Sequence, residues 1–111
     1  DRALEDARSI INSSFVLIIS LNREDRIVEY NQAAEWELGY SRDEVIGKSI
    51  LNFLSHKEDL VFIKDNIARG KRCQLDIEFI HQNGKNLNCL LSLSLLKDSY
   101  DNNNGILMIS H

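Results

Sequence analysis

The chain of 111 residues is long enough to bury one hydrophobic core and too short for two. Thirteen basic and 17 acidic side chains leave a formal charge of −4, which argues against a nucleic-acid partner, because phosphate binding needs clustered Lys and Arg. The longest apolar run, Phe15 to Ile19, is far too short to span a bilayer, and with no signal-peptide or lipidation motif no direct membrane contact is expected.

Leu4, Ala7, Ile10 and Ile11 recur at helical spacing, with Arg2, Glu5, Asp6 and Arg8 on the other side. This predicts an amphipathic helix over residues 1–13, ahead of a core over residues 14–111. Phe15 to Leu21 reads as a buried strand, Asn22 to Asp25 as a polar turn, and Arg26 to Tyr30 as the returning strand. Asn31 can cap a short helix carrying Ala33, Ala34, Trp36 and Leu38, which Gly39 can end. Ser41 and Glu44 form an S-x-x-E capping box for a second short helix closed by Gly47. A turn of helix follows over Ile50 to Leu54. A second S-x-x-E box, Ser55 with Glu58, predicts the start of the longest helix of this core, with Leu60, Ile63 and Ile67 on one face and Gly70 as its stop. The basic cluster Arg69, Lys71 and Arg72 lies at its end, where it complements the helix dipole.

Cys73 to His81 alternates, with Cys73, Leu75, Ile77 and Phe79 on one face and Gln74, Asp76 and Glu78 on the other. After Asn83-Gly84 the alternation resumes at Leu87, Cys89, Leu91, Leu93 and Leu95. Both strands carry their apolar residues at odd positions, whereas a two-residue turn would pair odd with even. A one-residue bulge or a three-residue loop is therefore expected. Asp98 to Asn104 is a polar loop, and Gly105 to Ser110 supplies the last strand. The order predicts an α+β fold with an antiparallel sheet. Cys73 and Cys89 miss each other by about four residues, roughly 13 Å along the strands, too far for a disulfide. They read as small core residues in a reducing, cytoplasmic compartment.

Residues 31 to 49, NQAAEWELGYSRDEVIGKS, resemble the signature of the PAS domain family, sensory modules of signalling proteins. In that family Asn-x-Ala-Ala and L-G-Y-S-x-x-E-x-I-G-K segments mark the first helices after an opening hairpin. The resemblance covers essentially the whole chain and implies a five-stranded antiparallel sheet with helices packed on one face. One departure is at the opening hairpin, where the family often reads Asp-x-x-Gly-x-Ile. Here Asn22, Asp25 and Ile27 stand at those places, so Asp replaces the turn glycine, a substitution that turns with positive φ tolerate.

The family holds cofactors and metabolites between the long helix and the inner sheet face. The matching candidates are Trp36, Ile63, Ile67, Leu75, Ile77, Phe79, Cys89 and Leu91. Heme-binding relatives use a histidine within the long helix, but here the only one near it, His56, falls in the first turn. Relatives that bind flavin carry a reactive cysteine where this chain has Ile50, and strand asparagines where it has Phe79 and Cys89. Neither heme nor flavin is expected. No metal is expected either, since His81 and His111 lie at a turn and at the terminus. The inward set is almost purely apolar, which leaves an apolar ligand or a collapsed, empty core. No catalytic motif stands in a plausible cleft: Glu35 and Glu37 read as a solvated helix face, Ser92 and Ser94 as the outer side of a strand. The domain itself is not expected to be an enzyme.

Alternation places Val16, Ile18, Ile80, Leu90 and Leu96 on the outer sheet face, which should be polar if it met water. The stripe of Leu4, Ala7, Ile10 and Ile11 is the available cover, from the same chain or from a partner. Two readings result. One is a sensory and dimerisation module, a homodimer linked to an output domain beyond His111, implied to be a histidine kinase or a cyclic-dinucleotide enzyme. The other is a small-molecule receptor with an apolar ligand in the cleft.

Overall fold

In the computed structural model, residues 15–69, 73–100 and 102–110 are described. The expected helix over residues 1–13, with Leu4, Ala7, Ile10 and Ile11, lies outside the described residues, as do Gly70, Lys71, Arg72 and His111. The alternating segments form five strands: β1 (Ile18–Leu21), β2 (Ile27–Tyr30), β3 (Cys73–Ile80), β4 (Asn86–Lys97) and β5 (Asn103–Ser110). They make one antiparallel sheet in the order β2-β1-β5-β4-β3, with the last strand inserted between two hairpins.

Between the hairpins lie α1 (Gln32–Leu38), α2 (Arg42–Val45), a 3-10 turn over Ile50–Phe53, and α3 (Glu58–Ala68). The side chain of Asn31 caps α1 by accepting from Ala34 N–H at 3.0 Å, and Gly39 ends it at φ 84°. Glu44 accepts from Ser41 N–H at 2.9 Å at the start of α2. The second box behaves differently. Ser55 does not cap α3, which starts at Glu58 after an uncapped Lys57. Leu54 bridges to Phe79, Ser55 N–H donates to Glu78 O, and the Ser55 hydroxyl bonds Asn86. Ser55 is thus held by the edge of β3 and unavailable to the helix.

The β3–β4 hairpin closes on a three-residue loop, Gln82 to Gly84, with His81 N–H donating to Lys85 O and Gly84 at φ 89°. Odd positions therefore face odd, as the alternation requires. Cys73 stands opposite Leu93 and Cys89 opposite Ile77, so both thiols are free. Leu60, Ile63 and Ile67 of α3 are buried against the sheet in one core with Ile77, Phe79, Leu91, Ile106 and Met108.

Two turn positions carry strain of different kinds. Asp25 takes φ 63°, the left-handed region predicted for the glycine it replaces. Gly105 is irreplaceable on geometry, because a Cβ there would lie 1.8 Å from the Leu21 carbonyl oxygen. Gly105→Ala should cost more than about 3 kcal/mol, since backbone must move against backbone at the junction of β5 with β1. Ile63→Ala should cost about 2–4 kcal/mol by opening a core cavity. Both follow from urea melts; a loss below about 0.5 kcal/mol for either variant would contradict the packing described.

Candidate functional site

Asn31 organises the N-terminal side of the molecule. Fully buried, it accepts from Ile18 N–H at 2.9 Å as well as from Ala34 N–H, and donates to Val16 O at 2.7 Å. One side chain thus joins β1 to the start of α1. Nearby, the Tyr30 hydroxyl lies 3.1 Å from the carbonyl oxygens of Ala34 and Tyr40, and the Tyr40 hydroxyl donates to Ile80 O at 2.9 Å. Burial pushes both phenol pKa values up, so these hydroxyls stay protonated donors. The inter-helix turn is tied in this way to the far hairpin.

The cleft between α3 and the inner sheet face is filled by its own side chains. Ile63, Ile67, Ile77, Phe79, Cys89 and Leu91 are all buried in the common core, and Leu75 sits half-buried at its margin. Trp36 does not join them. It is 66% exposed, because Ala33, Ala34 and Leu38 are the α1 residues that turn inward. Burial, with Glu37 contributing, pushes the Cys89 thiol up to about 11, which keeps it protonated.

Open space lies at the end of the cleft. A cavity of about 360 Å³ sits between the C-terminal half of α3, the β1–β2 turn and the start of β5. Ile67, Leu95 and Ile106 give it apolar walls, and Asn22, Arg23, Asp25, Lys64 and Asn103 give it a polar rim. Lys64 and Asp25 form an ion pair there, with the acid the more buried partner. The sequence reading did not find this group, because its members come from one turn, one helix and the start of the last strand; the only local signal was the aspartate at a glycine position.

The outer face is apolar where the alternation placed it. Ile18, Ile80 and Leu96 are half-buried, Leu90 is 42% exposed and Val16 37%. Leu107 and Ile109 belong to the same face, opposite Ser94 and Ser92. They were not singled out earlier because the unbroken run from Ile106 to Ile109 hides which residues alternate inward. A depression of about 450 Å³ lies on this face, lined in part by Gln74, Ser92, Ser94, Leu107 and Ile109.

Comparison with known proteins decides the family. The family description "PAS domain" matches residues 12–111. The chain belongs to the PAS domain family. Solved structures agree in fold. The PAS domain of an HTR-like protein from Haloarcula marismortui is 22% identical with a TM-score of 0.82, over 99% of this chain and 91% of that one. A PAS domain from a two-component sensor histidine kinase is 14% identical with a TM-score of 0.84, over 99% and 96%. A LOV protein from Rhodobacter sphaeroides is 19% identical with a TM-score of 0.81, over 100% and 67%. At these identities the likeness establishes the fold alone. No curated protein matches this chain.

Among the described residues, this PAS domain places no group of three or more His, Cys, Asp or Glu for a metal ion, and no helix is long and apolar enough to cross a membrane. His56 lies just before α3 and faces β3, with Nε2 2.9 Å from a Glu78 carboxylate oxygen. That hydrogen bond raises the His56 pKa; desolvation opposes it, and the charges of Glu78, Glu58 and Asp59 add to the rise. A histidine with a raised folded-state pKa stabilises fully below its unfolded value of about 6.5, and the contribution is lost as pH rises through the folded value. The difference in melting temperature between wild type and His56→Gln should therefore be largest below pH 6.5 and shrink on the alkaline side. A difference that grows with pH would exclude the pairing.

Proposed function

We propose that this PAS domain is a sensory and dimerisation module of a larger signalling protein, most simply a histidine kinase or a cyclic-dinucleotide enzyme of the cytoplasm. The observation that supports it is the apolar outer face, where Ile18, Leu90, Leu96, Leu107 and Ile109 would otherwise meet water. Two such faces, with the segment carrying Leu4, Ala7, Ile10 and Ile11 packed between them, could bury the roughly 1,600 Å² of a standard interface. Because β5 lies in the middle of the sheet, a change in the core would tilt that strand and turn the chain that leaves it. Information would pass to a linked output domain without catalysis in this domain. Sedimentation should give a dimer at high micromolar concentration, weakened by Ile10→Asp and by Leu90→Asp and abolished by the double variant. A monomeric wild type, or dimeric variants, would refute the interface.

A second reading, a small-molecule receptor, draws support from the cavity at the end of the cleft. Neither heme nor flavin is proposed as its occupant. Ile50, Phe79 and Cys89 stand at the positions the family's flavin chemistry needs, and their side chains are already packed in the core. Purified protein should show no visible absorption band in stoichiometric amount, and such a band would overturn that part.

A further inference from the structure

We infer that the cavity beside Lys64 is a binding site for a small monocarboxylate with a short apolar tail. The inference rests on the hydrogen-bonding state of the rim. Asn22 Oδ1 already accepts from Glu24 N–H at 2.9 Å and Arg26 N–H at 3.0 Å, and Asn103 Oδ1 accepts from Gly105 N–H at 2.8 Å. The Asn22 oxygen is spent on its own turn and the Asn103 oxygen is turned to its own backbone by one bond, so each side chain has its NH₂ group free to offer. The Arg23 guanidinium has no acceptor among the described residues, and Lys64 gives one of its three donors to Asp25. Among the described residues, four thus present donors, and the rim's one anionic group is engaged by Lys64 and the less exposed of the pair.

An entering group must supply acceptors and negative charge. Two cations against one carboxylate leave the rim at +1, in a chain whose formal charge is −4. A single carboxylate matches that balance, whereas a second charge would have no partner. Behind the rim, Ile67, Leu95 and Ile106 offer an apolar surface, and the volume of about 360 Å³ falls within the range of small-molecule pockets. Head and tail of an amphipathic acid therefore meet complementary walls. Asp25 contributes indirectly: in a left-handed turn that glycine would fill without strain, its carboxylate holds Lys64 over the opening.

The site deepens the sensory reading and rests on it only in treating the bound acid as a signal; binding itself is independent. The test is titration of the 111-residue chain with hexanoate, acetate and hexanol, followed by amide chemical shifts and calorimetry. Hexanoate should give saturable shifts centred on Asn22, Arg23, Lys64, Asn103 and Gly105. Acetate and hexanol should each bind at least about tenfold more weakly, lacking the tail or the charge. Arg23→Gln and Lys64→Gln should each weaken hexanoate about five- to tenfold. Ala68→Trp, which adds bulk to an exposed part of the wall, should abolish the shifts. Hexanol or acetate binding as tightly as hexanoate, shifts confined to other residues, or no binding at millimolar hexanoate would each overturn the assignment. If hexanoate fails while sedimentation still shows the dimer, the ligand class falls and the dimer module stands; if hexanoate binds a monomer, the reverse holds.

Discussion

Ser49 and Leu54 are five residues apart, yet they bridge to opposite edges of the same sheet, Ser49 beside Arg26 at β2 and Leu54 beside Phe79 on β3. In a flat five-stranded sheet these flanking positions would be six strand spacings apart, about 29 Å. Five residues reach at most about 18 Å when fully extended, and four of these are coiled in a 3-10 turn. The sheet must therefore curl until its edges come within reach of this tether. The same segment serves both edges chemically. Ile27 N–H donates to Lys48 O and Gly47 N–H to Ile27 O on one side, and Ser55 N–H donates to Glu78 O on the other. Backbone groups that would be left open on edge strands are thereby satisfied over part of each edge.

Curling has two results. The concave face closes over Ile63 and Ile67 of α3, so the interior becomes a packed core and free volume is displaced to the end where the β1–β2 turn meets β5. No helix among the described residues covers the convex face. Polar anchors hold the arrangement in register. Asn31 meets β1 and α1 together, and Tyr40 reaches the β3–β4 hairpin, so the positions of the short helices are set by directional bonds as well as by apolar contact.

The legible part of the sequence was the part governed by local periodicity and turn chemistry. The alternation in β3 and β4 carried enough parity information to require either a one-residue bulge or a three-residue loop, of which the structure has the loop at Gln82 to Gly84, and to keep Cys73 and Cys89 apart. Asn31 and Gly39 announced α1 because caps act within one turn. What misled was a local motif overruled by a distant partner: Ser55 has the spacing of a cap, but Glu78 and Asn86 hold it. Trp36 misled for a related reason, since an aromatic on a short helix says nothing about which face turns inward. The rim of the cavity was invisible because Asn22, Lys64 and Asn103 meet only after the sheet has closed, and no spacing along the chain encodes that meeting.

The strand order also fixes when the fold can exist. β1 with β2 and β3 with β4 are each local hairpins, tethered through the 49–54 segment at their outer edges, but no strand pairing links β1 to β4 until β5 enters between them. The bond from Leu17 N–H to the Ser110 hydroxyl spans 93 positions of sequence. During synthesis, the two hairpins must wait as separate half-sheets with an open gap, and the domain becomes cooperative only when its final strand has left the ribosome. A module whose keystone strand comes last in sequence leaves the joining of its two halves to its final residues, Asn103 to Ser110.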